Sequence, residues 1–252
     1  MLSNTELKLY EETILCRTKS ITNIGPALSI FSSGELICIS YLNSSVLIRI
    51  DDCKIVQCDV PDFIKDQHTI FFGSYSDGSI QVTEKSIIAF GVNSMVFDEE
   101  VSDACCSDKI AAIASKNHIE LYNLPSFEKI STYECETQVQ LVAMANTLIG
   151  GLLINGKIIV LNPEGELINT VSVPDSYCIS SMEILEIDNG YEFIIGTTLG
   201  ELLHISNISE FRIELVGKGN VNLHKIGKEC ICSGEPPIEV FLNMDQMIYM
   251  DT

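Results

Sequence analysis

Four histidines, ten cysteines and 35 acidic residues are the side chains of this 252-residue sequence whose chemistry could drive a reaction or hold an ion. His68, His118, His204 and His224 stand singly in separate stretches. There is no HExxH pair and no cysteine pair at finger spacing, so the ligand pattern of a zinc site is missing. Cys105-Cys106 and Cys230-x-Cys232 come nearest to one. Alternating residues share one face of a strand, as Cys230 and Cys232 would, but cysteines placed this way read as core residues rather than ligands.

Nucleophile and phosphate motifs are missing as well. Gly150-Gly151 and Gly217-Lys218-Gly219 lack the strand, turn and helix of a dinucleotide fingerprint or Walker loop, and no G-x-S-x-G elbow occurs. Asp62 and Asp66 could be imagined as an acid–base pair, yet a chain this rich in carboxylates produces such pairs by chance. The sequence therefore assigns no catalytic, cofactor-binding or metal-binding residue. A protein that is not an enzyme and carries no cofactor is expected.

The formal charge is −20, from 35 acidic against 15 basic residues. Such a chain repels a phosphate backbone, and no Lys/Arg cluster offers nucleic acid a footprint, so direct nucleic-acid binding is disfavoured. Acidic stretches such as Asp98-Glu99-Glu100 keep a surface solvated and suit a partner with a basic patch. Hydrophobic residues make up 46% of the chain and charged ones 20%, which supplies a core and gives no compositional case for disorder.

The cysteines are spread through a long chain and lie mostly in apolar runs, as at Cys38, Cys178 and Cys230, which reads as reduced core thiols rather than a disulfide framework. The opening MLSNTELKLYEE lacks the basic start and apolar stretch of a signal peptide, and no apolar run approaches the ~20 residues needed to cross a bilayer. The expected location is nucleus or cytoplasm, with no membrane partner and with the sequons at Asn43 and Asn207 unused.

The elements that would position any functional group are strands. A short apolar run, a small residue, a polar turn and an alternating strand recur from Leu36, Thr69, Lys109, Thr147, Glu192 and Glu229. With Ser40, Gly73, Ala114, Gly150, Gly196 and Ser233 taken as equivalent, the spacings are 33, 41, 36, 46 and 37. A period near forty with strand signals is that of a four-stranded propeller blade, and no convincing amphipathic helix interrupts it. Asp77-Gly78, Asn155-Gly156 and Leu199-Gly200 supply hairpin turns, with Pro163-Glu164-Gly165 and Asp188-Asn189-Gly190 at outer turns.

The small residues are expected on the inner strands, where blades crowd a central channel. The fold expected is all-β: a β-propeller of about six to seven four-stranded blades, occupying residues 1–252 as one domain or a fragment of one. Residues 7–30 are expected to add strands to a further blade, and the last unit stops at Asp251-Thr252, so the ring either closes through the N-terminal strands or is incomplete. Tryptophan is absent, and with it the Trp-Asp dipeptide of standard WD repeats, which leaves a divergent, WD40-like propeller.

Several runs resemble the damaged-DNA-binding protein large-subunit family. They are Asp66-Gln67-His68-Thr69, then Phe71-Phe72 and Gln81-Val82-Thr83, then Leu124-Pro125-Ser126-Phe127-Glu128, and finally Cys232-Ser233-Gly234-Glu235-Pro236-Pro237, in that order. Leu36 to Ile50 is similar both to that family and to its relatives among the large propeller subunits of the splicing factor 3B and cleavage and polyadenylation specificity complexes. The family's Arg before Pro is Glu235 here.

The resemblance implies the second of that family's propellers, and with it a scaffold that joins a cullin to substrate receptors in a cullin-RING ubiquitin ligase. The alternative it implies is a scaffold subunit of a splicing or cleavage/polyadenylation complex. In both readings the partners are proteins, and no contact residue carries over.

Overall fold

The computed structural model describes residues 10–11, 14–15, 27–51, 54–58, 60–173, 177–187, 190–206, 212–215, 218–226, 229–235, 239–243 and 246–249, with side chains described at 27–49, 58, 60–173, 177–187, 190–206, 213 and 223. Every element is a strand. β1 (Tyr10–Glu11) and β2 (Ile14–Leu15) form a short hairpin, and six four-stranded sheets follow in chain order.

Blade 1 holds β3 (Ser29–Ser33), β4 (Leu36–Tyr41), β5 (Ser44–Asp51) and β6 (Lys54–Gln57). Blade 2 holds β7 (Thr69–Tyr75), β8 (Gly78–Thr83), β9 (Ser86–Ala89) and β10 (Asn93–Val96). Blade 3 holds β11 (Asp103–Cys106), β12 (Ile110–Ser115), β13 (His118–Asn123) and β14 (Lys129–Glu134). Blade 4 holds β15 (Val139–Met144), β16 (Ile149–Leu153), β17 (Lys157–Leu161) and β18 (Leu167–Ser172). Blade 5 holds β19 (Ile179–Ile187), β20 (Gly190–Thr197), β21 (Glu201–Ser206) and β22 (Arg212–Leu215). Blade 6 holds β23 (Lys218–Ile226), β24 (Glu229–Glu235), β25 (Glu239–Asn243) and β26 (Gln246–Tyr249). Within each blade the strands are hydrogen-bonded in sequence order. Such a succession of four-stranded meanders is the construction of a β-propeller.

Strand composition follows burial. The middle strands are near-continuous apolar runs because both their faces are covered: IAAIAS in β12 and IGGLL in β16 are buried along nearly their whole length. The fourth strands β14 and β18, KISTYE and LINTVS, are largely exposed and polar. No helix among the described residues is long and apolar enough to cross a membrane.

The chain divides into two compact units, the first Met1–Ser115 with Tyr122–Lys129 and the second Lys116–Leu121 with Ile130–Thr252. In the first, β3 packs on β7 and β7 on β11. Cys38 and Leu47 of blade 1 close on Phe63 and Phe72, and Ile80, Val82 and Ile87 of blade 2 close on Ala111, Ile113 and Phe127. In the second, β15 packs on β19 and β19 on β23. Leu152, Ile158 and Val160 there close on Ile184, Phe193, Ile195 and Leu203.

The proposed equivalence of the small residues needs correction. Ser40, Ala114, Gly150, Gly196 and Ser233 fall in the second strands β4, β12, β16, β20 and β24, but Gly73 falls in β7, a first strand. The run from Thr69 therefore pairs strands one and two of its blade, where the other five runs pair strands two and three. First strands of successive blades pack on each other, and second strands also pack on the next blade's first strand, as β4 does on β7 and β20 on β23; Gly150 lies in a second strand and makes room for the ring of Phe193 in the next blade.

The turns are where the sequence puts them. Asp77-Gly78 joins β7 to β8, and Pro163-Glu164-Gly165 joins β17 to β18. Asn155-Gly156 joins β16 to β17 with φ +77° at Gly156, a backbone angle that residues with a Cβ rarely adopt. Asp188 and Asn189, most of residues 7–26, Pro236-Pro237 and Asp251-Thr252 lie outside the described residues, as does Gly217.

Candidate functional site

A dense polar cluster ties blade 1 to blade 2 within the first unit. Ser40 ends the apolar run of β4, Ser45 is the second residue of β5, and Thr69 opens β7; all three are fully or almost fully buried, as is Gln81 in the middle of β8. Buried polar groups persist only when they find partners. Here Gln81 Nε2 donates to Thr69 Oγ1 at 2.8 Å, the Thr69 and Ser45 hydroxyls lie 2.7 Å apart, and Ser45 Oγ donates to the Gln67 carbonyl at 2.8 Å. Since the Ser45 proton goes to Gln67, the Thr69 hydroxyl donates to Ser45, and the chain of bonds runs one way from Gln81 to the backbone.

Gln81 completes its amide on the connecting loop. It donates through Nε2 to the Ile64 carbonyl at 2.9 Å, and its Oε1 accepts from the Ile64 amide at 2.9 Å, so the side chain pairs with that residue as a neighbouring strand would. The runs Asp66–Thr69 and Gln81–Thr83, which carry the resemblance in the sequence, thus meet in space. Their residue types are accounted for by joining two blades.

Ser40 and His68 have the composition of a nucleophile and its base, with Oγ and Nδ1 2.9 Å apart. The geometry assigns the proton otherwise. Nδ1 also lies 3.0 Å from the Tyr41 carbonyl, which can only accept, so Nδ1 carries the hydrogen and cannot take one from Ser40. Ser40 Oγ accepts in addition from the Thr69 amide at 2.9 Å and is wholly buried. The pair is a joint between blades rather than a reaction centre.

The other histidines are scattered. His118 opens β13, half-buried, and the side chain of His224 in β23 lies outside the described ones. His204 in β21 is buried with Nδ1 3.4 Å from the Glu192 carboxylate. Among the described residues no group of three or more His, Cys, Asp or Glu stands close enough to hold a metal ion. Asp62 spends its Oδ2 on the Gly91 amide, 3.3 Å away, and no bond joins it to Asp66.

Burial controls the thiols. It pushes Cys38 up to about 12 against the opposing effect of the neighbouring Thr69 hydroxyl, and Cys106 up to about 12 with help from the negative charge of Asp108. Cys135 is raised to about 11, by burial first and then by Glu134 and Glu136. Such thiols stay protonated and inert at neutral pH. Cys178, by contrast, is exposed.

Cys178 stands at a groove in the second unit that no motif or spacing in the chain announces. The groove, about 430 Å³, runs between the β16–β17 turn and the segment entering β19, and Ile154, Val173, Tyr177, Cys178 and Ile179 line it. Its walls are held by backbone bonds, from the Ile154 amide to Gln138, from Val173 to Gly156 and from Thr198 to Cys178. Glu136 stands at the rim, accepting from Asn155 Nδ2 at 3.1 Å and from Lys157 Nζ.

Successive blades, a polar interior spent on joining them and an open groove at the turns make this a β-propeller whose fold is consistent with a protein-interaction scaffold. No protein-family model matches the chain, and no curated protein sequence matches it.

Proposed function

We propose that the chain is a protein–protein interaction scaffold without chemistry of its own, working as the propeller adaptor of a cullin-RING ubiquitin ligase does, in the nucleus or cytoplasm. The observation that supports this reading most is the Ser40–His68 joint. His68 faces the Ser40 hydroxyl with the nitrogen whose hydrogen goes to the Tyr41 carbonyl, and that serine is sealed from solvent. The collinear runs noted in the sequence point to the damaged-DNA-binding protein family and so to a cullin partner.

Affinity purification of the chain from cells, followed by mass spectrometry, tests it. Recovery of a cullin together with substrate receptors is the expected result. Recovery of U2-associated or polyadenylation proteins instead replaces the adaptor by a pre-mRNA-processing scaffold. Hydrolytic turnover lost on Ser40→Ala, in a variant that still folds, overturns the non-enzymatic reading.

A further inference from the structure

The groove in the second unit has neighbours that say what it takes. Ile154 on its wall and Leu199 are 60% and 64% exposed, each at the turn between the second and third strands of its blade. The two turns are linked through the groove wall, because the Thr198 amide, one residue before Leu199, donates to the Cys178 carbonyl at 2.8 Å. Ile154, Tyr177 and Ile179 thus line an apolar groove wall floored by the buried Val173, and Leu199 stands on the turn bonded to that wall. Apolar patches of this kind, rimmed by polar residues, mark binding sites.

Charge selects the occupant. Residues 135–206, which hold blade 4 and most of blade 5, carry nine Asp or Glu against one Lys and no Arg. That single cation, Lys157, is engaged with Glu136 at the groove rim. A field of this sign attracts cationic partners and repels both nucleic acid and a second copy of the same acidic chain.

We propose that the groove of blades 4 and 5 is a docking site for a protein segment that inserts an apolar side chain beside Ile154 and is flanked by Lys or Arg. The inference rests on the scaffold reading and names the class of partner that scaffold holds. The apolar anchor supplies affinity in the groove, and the flanking cations supply encounter rate and selectivity through the surrounding carboxylates.

Three fluorescein-labelled peptides test it on the full chain by anisotropy: a Leu-Leu core flanked by Lys/Arg, the same core flanked by Glu, and a Ser-Ser core flanked by Lys/Arg. Only the first binds, its affinity drops with added salt, and it slows alkylation of Cys178 at the groove wall. Ile154→Ser, an exposed substitution that leaves the thermal midpoint unchanged, weakens it by about tenfold, and Leu199→Ser weakens it too.

Equal binding of the Ser-Ser peptide, unchanged affinity in Ile154→Ser, or Cys178 alkylated at the same rate overturns the site. So does self-association of the chain that Ile154→Ser abolishes. The adaptor reading fails separately: wild-type chain that recovers no cullin from cells but binds the first peptide removes the adaptor and leaves the groove standing.

Discussion

Gly150 in β16 faces the ring of Phe193 in β20 so closely that a Cβ at position 150 would overlap Cε1 and stand 3.0 Å from Cζ. Phe193 is fully buried and wedged against Tyr191, the ring centroids 5.5 Å apart and nearly edge to face. The ring fills the space the glycine leaves, and this packing joins blade 4 to blade 5.

Gly150→Ala accordingly overpacks this contact and lowers unfolding stability by about 1–3 kcal/mol in urea denaturation. Because the strain resides in one ring, Phe193→Leu introduced into the Gly150→Ala chain costs much less than Phe193→Leu alone. A double-mutant cycle measures this coupling, and strictly additive losses would falsify the contact as the reason for the glycine.

Gln81 offers a second test, in the first unit. Gln81→Leu keeps the volume but leaves the amide and carbonyl of Ile64 and the Thr69 hydroxyl short of partners. The expected loss is about 1–3 kcal/mol for each group left buried and unpaired. Gln81→Glu adds a pH signature. The introduced carboxyl is buried beside acceptors, so its folded pKa lies above its unfolded value of about 4.3. Its extra penalty is absent below the unfolded value and grows as pH rises toward the folded one. Denaturation curves of variant and wild type therefore converge in acid, and a gap that is constant with pH would remove Gln81 from the network.

Much of the fold was legible because blade chemistry is local. Runs such as IAAIAS and IGGLL can be buried on both faces only as inner strands of a sheet, and Asn155-Gly156 can hardly be anything but a turn. The phase was harder to read, since successive hairpins of a meander share one pattern: apolar run, glycine turn, alternating strand. TIFFGSYSDGSIQVT fits strands one and two as well as two and three, and this ambiguity shifts Gly73 by one strand. The Ser40–Gln81 cluster left a fainter trace, an amide in the centre of the apolar β8, where only a partner such as Ile64 makes a buried glutamine tolerable. The groove left none, because its wall comes from the connection between two blades and a strand pattern does not encode such a neighbour.

Thiol reactivity separates the described cysteines. Cys38 and Cys106 are raised to about 12 and Cys135 to about 11, so at about pH 8 almost none of their sulfur is thiolate, while Cys178 is exposed. Brief treatment of the native protein with iodoacetamide, read by peptide mass spectrometry, labels Cys178 first and leaves Cys38, Cys106 and Cys135 unmodified until denaturant is added. Early labelling of Cys38 would mean that blades 1 and 2 do not close over it.

The groove rim has a pH dependence of its own. The Glu136 carboxyl is held below the usual carboxylate value, first by the hydrogen bond from Lys157, then by that from Asn155. A lowered folded pKa means that the pair favours the native state above the unfolded carboxylate value, and that this contribution is lost as pH falls through the folded one. The carboxylate is open to solvent, so the effect on global stability is small and salt-screened. The titration itself is the sensitive measure. Lys157→Met moves the Glu136 carboxyl up toward its ordinary value in a carbon-detected NMR titration, Asn155→Ala moves it by less, and the thermal midpoint of either variant changes little. A Glu136 titration that ignores Lys157→Met would show that the two side chains are not paired in solution, and would free Lys157 to oppose rather than admit a cationic partner at the groove.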